Sequence, residues 1–442
     1  MNNKFMQKFI EIAGRIGAQR HLVAIRDGFV AIMPLIIIGS LAVLFSNFPP
    51  LGKFKLVDVL NNIFGEGNWQ TVGGSIWSGT FAIIGLLIAF SVAYNLARSY
   101  EIDGLSAGLI SAASYIILVP VTPDGGLDFA WLGARGLFIA LILSLLVTEL
   151  FRVLLQTRLT IKMPEGVPDG VARSFTALIP GMIILFLIGL FQAFMAVFAE
   201  TSIFEIIFNA IQEPLQGLGN TLPAALIIAF LTHLLWFFGL HGSNIIGAVI
   251  EPLYLPLLEK NSSLFKGGMS AFDVPYIVTK PFLDTFVYMG GAGTTIALFI
   301  AIFIVIRKAQ KHPYREITKL AAPAGLFNIN EPVIFGLPIV LNPAILIPFI
   351  FVPVILTLIS YFALAIGLVP RTVAMVPWST PPILSGYLVT GGSWRGIVLQ
   401  IFNLAVATII YIPFVAIGAR TFNLKTSSSK ENVMVGDNPK DI

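Results

Sequence analysis

Cysteine is absent from this sequence, and charge is scarce: 11% of its 442 residues are Asp, Glu, Lys or Arg, against roughly 25% in soluble globular proteins. The first absence excludes disulfides, a thiolate nucleophile, a Cys-ligated metal and a phosphocysteine within this sequence. The second leaves too few charged side chains to cover a water-soluble particle of this size. Only 4 histidines occur, without paired-ligand spacing, so no metal site is expected. There is no G-x-x-x-x-G-K-[ST] and no H-E-x-x-H, which excludes P-loop ATP hydrolysis and a zincin centre. The formal net charge is +4, from 27 Lys and Arg against 23 Asp and Glu. Cation-rich inner-leaflet loops produce that excess without any nucleic acid. No fixed-period repeat is visible. No cleaved signal peptide is expected either, since residues 1–27 mix charged and apolar side chains and the first apolar run begins near Phe29. Gly104-Leu105-Ser106-Ala107-Gly108 matches a nucleophile-elbow pattern, but no strand precedes it, so a hydrolase is rejected.

Apolar residues are abundant: 56% of the chain, with a mean hydropathy of +0.88. Apolar runs fall at 29–47, 78–97, 104–122, 131–151, 175–199, 222–240, 287–306, 343–367 and 396–418. Most are near the ~20 residues that a helix needs to cross a bilayer. The stretch 241–258 is apolar but interrupted by His241, Glu251, Pro252 and Pro256. The fold class is therefore all-α, a polytopic membrane protein with about ten transmembrane helices. In the amphipathic segment 1–27, Phe5, Phe9, Ile12 and Ile16 recur at helical spacing away from Lys4, Lys8 and Arg15, which predicts a helix lying on the membrane surface. Residues 28–420 form the membrane-embedded domain, and the polar stretch 421–442 is expected to be a disordered tail. Lys and Arg cluster at 4–26, 152–173, 307–319 and after Arg420, which places both termini in the cytoplasm.

Two stretches resist reading as ordinary spans. One, near 278–295, carries Lys280, Pro281, Asp284, Thr285, Gly290, Gly291 and Gly293; the other, near 320–343, contains Asn328-Ile329-Asn330-Glu331-Pro332. Irregular backbone at membrane depth survives only where protein or a water-filled cavity supplies its hydrogen bonds. Both are expected to be re-entrant hairpins lining a transport cavity.

The chemistry concentrates there. A charge at mid-bilayer costs about 2.5–3.5 kcal/mol on insertion scales, so Glu331 is read as a functional carboxylate. His241, in Gly239-Leu240-His241-Gly242, is read as a hydrogen-bonding or proton-accepting imidazole in the same cavity. His233 is read as structural. Trp236 and Trp378 each offer a flat apolar face with one N–H, suited to stacking under a polar ring-shaped ligand; Trp69, Trp77, Trp131 and Trp394 fit an interfacial belt. Lys280, Asp284 and Glu251 are read as cavity groups, or as charges that pair with one another or reach the interface. Arg135 and Glu149 are placed at the interface.

At Asn328-Ile329-Asn330-Glu331-Pro332 the sequence resembles the IIC membrane component of the bacterial phosphoenolpyruvate-dependent sugar phosphotransferase system, in the lactose/cellobiose/diacetylchitobiose group. Arg20-His21-Leu22, Ile25-Arg26-Asp27-Gly28-Phe29, Phe238-Gly239-Leu240-His241-Gly242 and Pro281-Phe282-Leu283-Asp284 with Gly290-Gly291 support it in the same order. The resemblance spans about residues 5–420. It implies a homodimeric, multi-pass permease in the bacterial cytoplasmic membrane, whose Glu331 and His241 contact a β-linked disaccharide, cellobiose or a related β-glucoside. Glu331 is the candidate catalytic residue, near the 6-hydroxyl that becomes phosphorylated. The substrate-binding set is His241, Glu331, Asn328, Asn330, Trp236, Trp378, Lys280 and Asp284, with no cofactor and no metal. A separate IIB protein carrying phosphocysteine supplies the phosphoryl group, and a IIA protein acts indirectly.

Two other classes compete. A proton-coupled secondary sugar transporter would use Glu331 and His241 as a relay and deliver unmodified sugar. A membrane-embedded glycosyl or lipid transferase would need paired acidic metal ligands. Asp124 and Asp128 offer only a weak version of that pair.

Overall fold

The computed structural model describes residues 3–46, 56–65, 68–199, 201–307, 312–337 and 343–436. They are predominantly helical; the β-structure among them is one isolated bridge between Val121 and Leu127. Helices α1 (Asn3–Gly17), α2 (Arg20–Ser46), α3 (Leu56–Phe64), α4 (Gln70–Ser78), α5 (Ile84–Ser99), α6 (Gly104–Leu118) and α7 (Leu137–Leu155) come first. Then follow α8 (Asp169–Phe198), the short α9 (Ile203–Ile207) and α10 (Glu213–Gly219), α11 (Leu222–Phe237) and α12 (Gly242–Lys266). The last part holds α13 (Lys280–Phe286), α14 (Thr295–Val305), α15 (Pro313–Leu326), α16 (Glu331–Gly336), α17 (Pro343–Ala365), α18 (Leu384–Val389) and α19 (Trp394–Gly436).

Among the described residues, 6 helices are long and apolar enough to cross a membrane; a bent pair, Ile203–Gly219 with Leu222–Trp236 at 79°, raises this to 7. Two apolar runs are shorter as helices than as sequence. The run 104–122 is helical only to Leu118, and in 287–306 the helix begins at Thr295. By contrast α12 runs unbroken through Pro252 and Pro256. Those prolines are four residues apart, so their missing amide donors fall on one face of the helix. The last helix extends to Gly436, through most of the polar stretch 421–442; residues 437–442 lie outside the described residues, as do 338–342 of the second expected hairpin.

The buried apolar side chains form two main groups. One gathers α2, α5, α6 and α7 around Phe29, Phe81, Tyr115, Trp131 and Phe151. The other gathers α11–α19 around Tyr254, Phe282, Phe286, Phe349 and Tyr411. Local signals start the helices. Asp103 caps α6, accepting from the Ser106 amide at 3.3 Å and from the Ser106 hydroxyl, so the serine of the elbow-like motif is spent on a helix cap. The belt assignment fails for three tryptophans: Trp69, Trp77 and Trp131 are buried, and only Trp394 of that set is exposed. Trp77 stacks on Phe81 at 4.7 Å, and the Arg135 guanidinium lies 4.0 Å over the Trp131 ring. Distant partners, which span hydropathy does not report, also cover two of these indoles: Lys266 lies 5.5 Å over the Trp77 ring, and the Phe204 ring is 5.3 Å from that of Trp131.

Three irregular segments lie within the second group. In the first, α13 is capped by Thr279 and followed by a turn with positive φ at Gly290, Gly291, Gly293 and Thr294. The second is Phe327–Asn330, between α15 and α16. The third, 369–383, buries residues 372–376 in the core, turns outward at Trp378, and is pinned by side chains. Asn261 donates to the Thr372 carbonyl at 3.0 Å, Ser262 to the Val373 carbonyl at 2.6 Å, and Ser40 accepts from the Met375 amide at 2.5 Å. Buried backbone outside helices needs such partners.

Candidate functional site

A cavity of about 290 Å³ opens where α2 of the first group meets the irregular segments of the second. Every residue of the sequence-derived site lines it: Trp236, His241, Lys280, Asp284, Asn328, Asn330, Glu331 and Trp378. Their roles in the architecture differ.

His241 is the N-cap of α12. Its Nδ1 accepts from the Asn244 amide at 3.2 Å, so in the neutral ring the proton sits on Nε2. That Nε2 faces Glu331 Oε1 at 3.9 Å. The gap is too long for a hydrogen bond, yet one hydroxyl oxygen placed to the side reaches both atoms at about 2.8 Å. The histidine and glutamate side chains are 42% and 47% exposed to the cavity. Under the imidazole lies Trp236, ring centroids 4.2 Å apart, its Nε1 donating to Ser243 at 3.3 Å. Gly242 is required here, because a Cβ would strike the Thr232 carbonyl oxygen and crowd Trp236 at 3.1 Å.

Glu331 opens α16, beside the asparagines of its own motif. Both are engaged by main chain. Asn330 donates to the Ala292 carbonyl at 2.7 Å; Asn328 accepts from the Gly290 amide at 2.6 Å and donates to the carbonyls of Trp378 and Thr380 at 2.6 and 3.1 Å. Gly291 lies between them, and a Cβ there would come within 2.6 Å of Asn330 Cγ and 2.7 Å of the Asn328 carbonyl oxygen. The motif thus stitches the second irregular segment to the turn of the first, which fixes the carboxylate opposite His241.

Lys280 belongs to a tighter group. Its Nζ lies 2.6 Å from Asp284 Oδ2, one helical turn away, and 3.5 Å from Glu251 Oε1 on α12. These side chains are largely buried, so the cluster is internal, with neither lysine nor acids at an interface. His233 is fully buried, its Nδ1 donating to the Ala229 carbonyl at 2.6 Å and its ring 5.1 Å from Tyr288. Its placement is the structural one. Glu149 accepts from Tyr100 at 2.5 Å and from Arg152 at 2.9 Å and contacts His21 at 3.1 Å, tying the start of α2 to the ends of α5 and α7.

Polar side chains that line the cavity beyond the sequence-derived set are Arg26, Tyr288, Thr232, Ser243, Asn244 and Glu251. Arg26 had a signal, the Ile25-Arg26-Asp27-Gly28-Phe29 stretch near the first apolar run. Tyr288 had none, because nothing local separates it from core aromatics. Charged lining groups comprise two cations, Arg26 and Lys280, against three carboxylates, Glu251, Asp284 and Glu331. Among the described residues, no group of three His, Asp or Glu suits a metal ion.

An all-helical chain with membrane-length apolar helices around a cavity lined by charged and aromatic side chains is the architecture of a membrane transporter. The family model "Phosphotransferase system, EIIC" matches residues 26–353. The lichenan permease IIC component of Bacillus subtilis (strain 168) is 40% identical over 428 residues, covering 94% of this chain and 92% of that protein. The cellobiose-specific EIIC component of Geobacillus stearothermophilus is 41% identical over 425 residues, covering 93% and 92%. The crystal structure of ChbC, the IIC component of an N,N'-diacetylchitobiose-specific phosphotransferase system, superposes with a TM-score of 0.89 at 38% identity, over 96% of this chain and 99% of that one. The chain belongs to the membrane-embedded IIC components of the phosphotransferase system, within the cellobiose/lactose group.

Proposed function

We propose that this permease binds a β-linked disaccharide, cellobiose or a close β-glucoside, in the cavity between α2 and the irregular segments, and presents its 6-hydroxyl to a phosphorylated IIB protein. The observation that carries this reading is the His241–Glu331 pair, 3.9 Å apart across an open wall of the cavity. The names of the relatives, cellobiose-, lichenan- and diacetylchitobiose-specific, support the sugar class.

In this mechanism Trp378 presents an apolar face to a sugar ring, as C–H-rich pyranose faces require, whereas Trp236, expected to do the same, is 4% exposed and supports His241 from beneath. Nε2–H of His241 donates to the reacting hydroxyl, and Glu331 accepts its proton or holds it in line. Phosphoryl transfer depends mainly on such positioning and on charge stabilisation. The phosphocysteine comes from IIB, because this sequence has no cysteine, and IIA acts only by charging IIB. Added phosphate charge then disfavours return through an apolar path. About ten crossings are supported by the 6 long helices, the bent pair, and the three shorter or more polar helices α6, α12 and α14. The half-exposed Ile12 and Ile16 of α1 support a membrane-surface helix, and the re-entrant hairpins, homodimer and cytoplasmic termini belong to the same reading.

The test is uptake of radiolabelled cellobiose into inside-loaded vesicles with and without phosphorylated IIB. Expected is accumulation as the 6-phosphate that requires phospho-IIB. Accumulation of unmodified sugar driven by a pH gradient overturns the proposal in favour of proton-coupled transport.

A further inference from the structure

We infer that Arg26 is a further catalytic residue of this permease, receiving the phosphoryl group as it passes to the sugar hydroxyl held by His241 and Glu331. This rests on the sugar being phosphorylated in this cavity. In that step the sugar's 6-oxygen bonds to phosphorus as the phosphorus–sulfur bond of the IIB phosphocysteine breaks. The bonding pair leaves on sulfur as the thiolate, and the hydroxyl proton passes to Glu331. A phosphate ester carries about −1.5 to −2 charges, and it arrives in a cavity lined by three carboxylates and two cations. Such a transfer needs fixed positive charge beside the phosphoryl oxygens.

Of the two cations, Lys280 is spent on two acids, Asp284 at 2.6 Å and Glu251 at 3.5 Å. Arg26 keeps donors in reserve. Its Nε donates to Asp27 Oδ1 at 2.8 Å and its Nη2 lies 2.7 Å from the same oxygen, whereas Nη1 has no partner among the described residues. A guanidinium presents its donors in a flat fork that matches phosphate oxygens. The Arg26 side chain is 27% exposed, and Asp27 is 40% exposed. Solvent therefore screens that pair, and Asp27 does not cancel the charge as the buried acids cancel that of Lys280.

Position agrees with this role. Arg26, Val30 and Met33 follow one another at helical spacing on α2 and line the cavity together. Glu331 and Arg26 are the charged side chains whose fields reach the His241 ring, which sets the guanidinium near the reactive pair. His241 and Glu331 belong to the second core group and Arg26 to a helix of the first. The phosphoryl site is thus composite, with one group holding the hydroxyl and the other supplying the cation.

Three variants test this. Arg26→Gln removes the charge, Arg26→Lys keeps it without the fork, and Arg26→Gln/Asp27→Asn removes it without stranding Asp27. Each is assayed for phospho-IIB-dependent cellobiose phosphorylation in membrane vesicles, and the purified permease is titrated calorimetrically with cellobiose and with cellobiose 6-phosphate. Expected for Arg26→Gln is a fall in kcat of about 10²–10³-fold, as for loss of a charge-stabilising donor, with KM and Kd for cellobiose within about threefold. Kd for the 6-phosphate rises at least about tenfold, since charge-assisted bonds are lost. Arg26→Lys recovers about tenfold or more of the kcat, and the double variant matches Arg26→Gln. Weaker cellobiose binding with kcat intact, unchanged affinity for the 6-phosphate, or recovery of kcat in the double variant overturns the assignment. If Arg26→Gln does not fold, Arg26→Lys and the double variant carry the comparison. Should the unaltered protein bind cellobiose yet never phosphorylate it, the phosphorylation reading itself falls, an outcome distinct from the others because it precedes any substitution.

Discussion

Two ionic groups share one cavity and are built in opposite ways. Lys280 is held at 2.6 Å by Asp284 and at 3.5 Å by Glu251, all three side chains no more than 20% exposed. His241 and Glu331 stand 3.9 Å apart and are more than 40% exposed. The first group has met its needs internally. Burying its charges is tolerable only because each has an opposite partner. The second has left hydrogen-bonding capacity facing empty space, and its fixed geometry comes from neighbours: the Asn244 amide and Trp236 for the histidine, the paired asparagines for the glutamate. The contrast separates a scaffold from a reactive pair more clearly than charge or residue type does.

Four variants put that contrast to the test. The largest effect is expected for Glu331→Gln, which should lower phospho-IIB-dependent sugar phosphorylation by about 10²–10⁴-fold, the range for losing a positioned acid–base group. Its melting temperature in detergent should stay near the parent's, since a half-exposed carboxylate with no hydrogen bond among the described residues supports little structure. Phosphorylation at the parental rate would return Glu331 to the scaffold class. Lys280→Met comes next and behaves inversely. It leaves two buried carboxylates unpaired and should cost about 3–5 kcal/mol of stability, read as loss of the monodisperse peak in fluorescence-detected size exclusion after heating. A protein as heat-resistant as the parent would show that the triad is not structural.

Smaller still is the residual effect after removing all three charges together. Lys280→Met with Glu251→Gln and Asp284→Asn should recover most of that stability, to within about 1–2 kcal/mol, because no uncompensated charge remains. If the triple variant is as unstable as Lys280→Met, the damage lies in packing rather than charge. The smallest effect belongs to Trp236→Phe, which keeps an aromatic support under His241 but loses the 3.3 Å bond to Ser243. One hydrogen bond of this kind is worth about 0.5–1.5 kcal/mol, so KM should rise about threefold in the same phosphorylation assay with kcat unchanged. A collapse in kcat would mean that the indole does more than support the imidazole.

Much of the site was legible because its residues break local rules. Glu331-Pro332 and the Gly239–Gly242 stretch interrupt apolar sequence with groups that lipid does not tolerate, and so do Lys280 and Asp284. What the residues do for one another was less legible. Asn328 and Asn330 read as ligand contacts, whereas their carboxamides bond to main chain 38 to 52 residues away. Trp69, Trp77 and Trp131 read as belt residues and are buried. The third irregular segment, 369–383, showed only its polar loop around Trp378, because a run such as Val373-Ala374-Met375-Val376 is apolar whether it lies in a span or threads a core.

By itself, the sequence determined that this chain lives in a bilayer and is helical, and that any charge inside it has a purpose. Those conclusions follow from the cost of placing unpaired backbone and charge in hydrocarbon, which acts residue by residue and is readable at any position. Which charges neutralise each other, and which are left to meet a substrate, is settled by how distant segments pack. That depends on distances between segments far apart in the chain, set by side-chain-to-backbone bonds and by glycines where no Cβ fits, and no local pattern carries them.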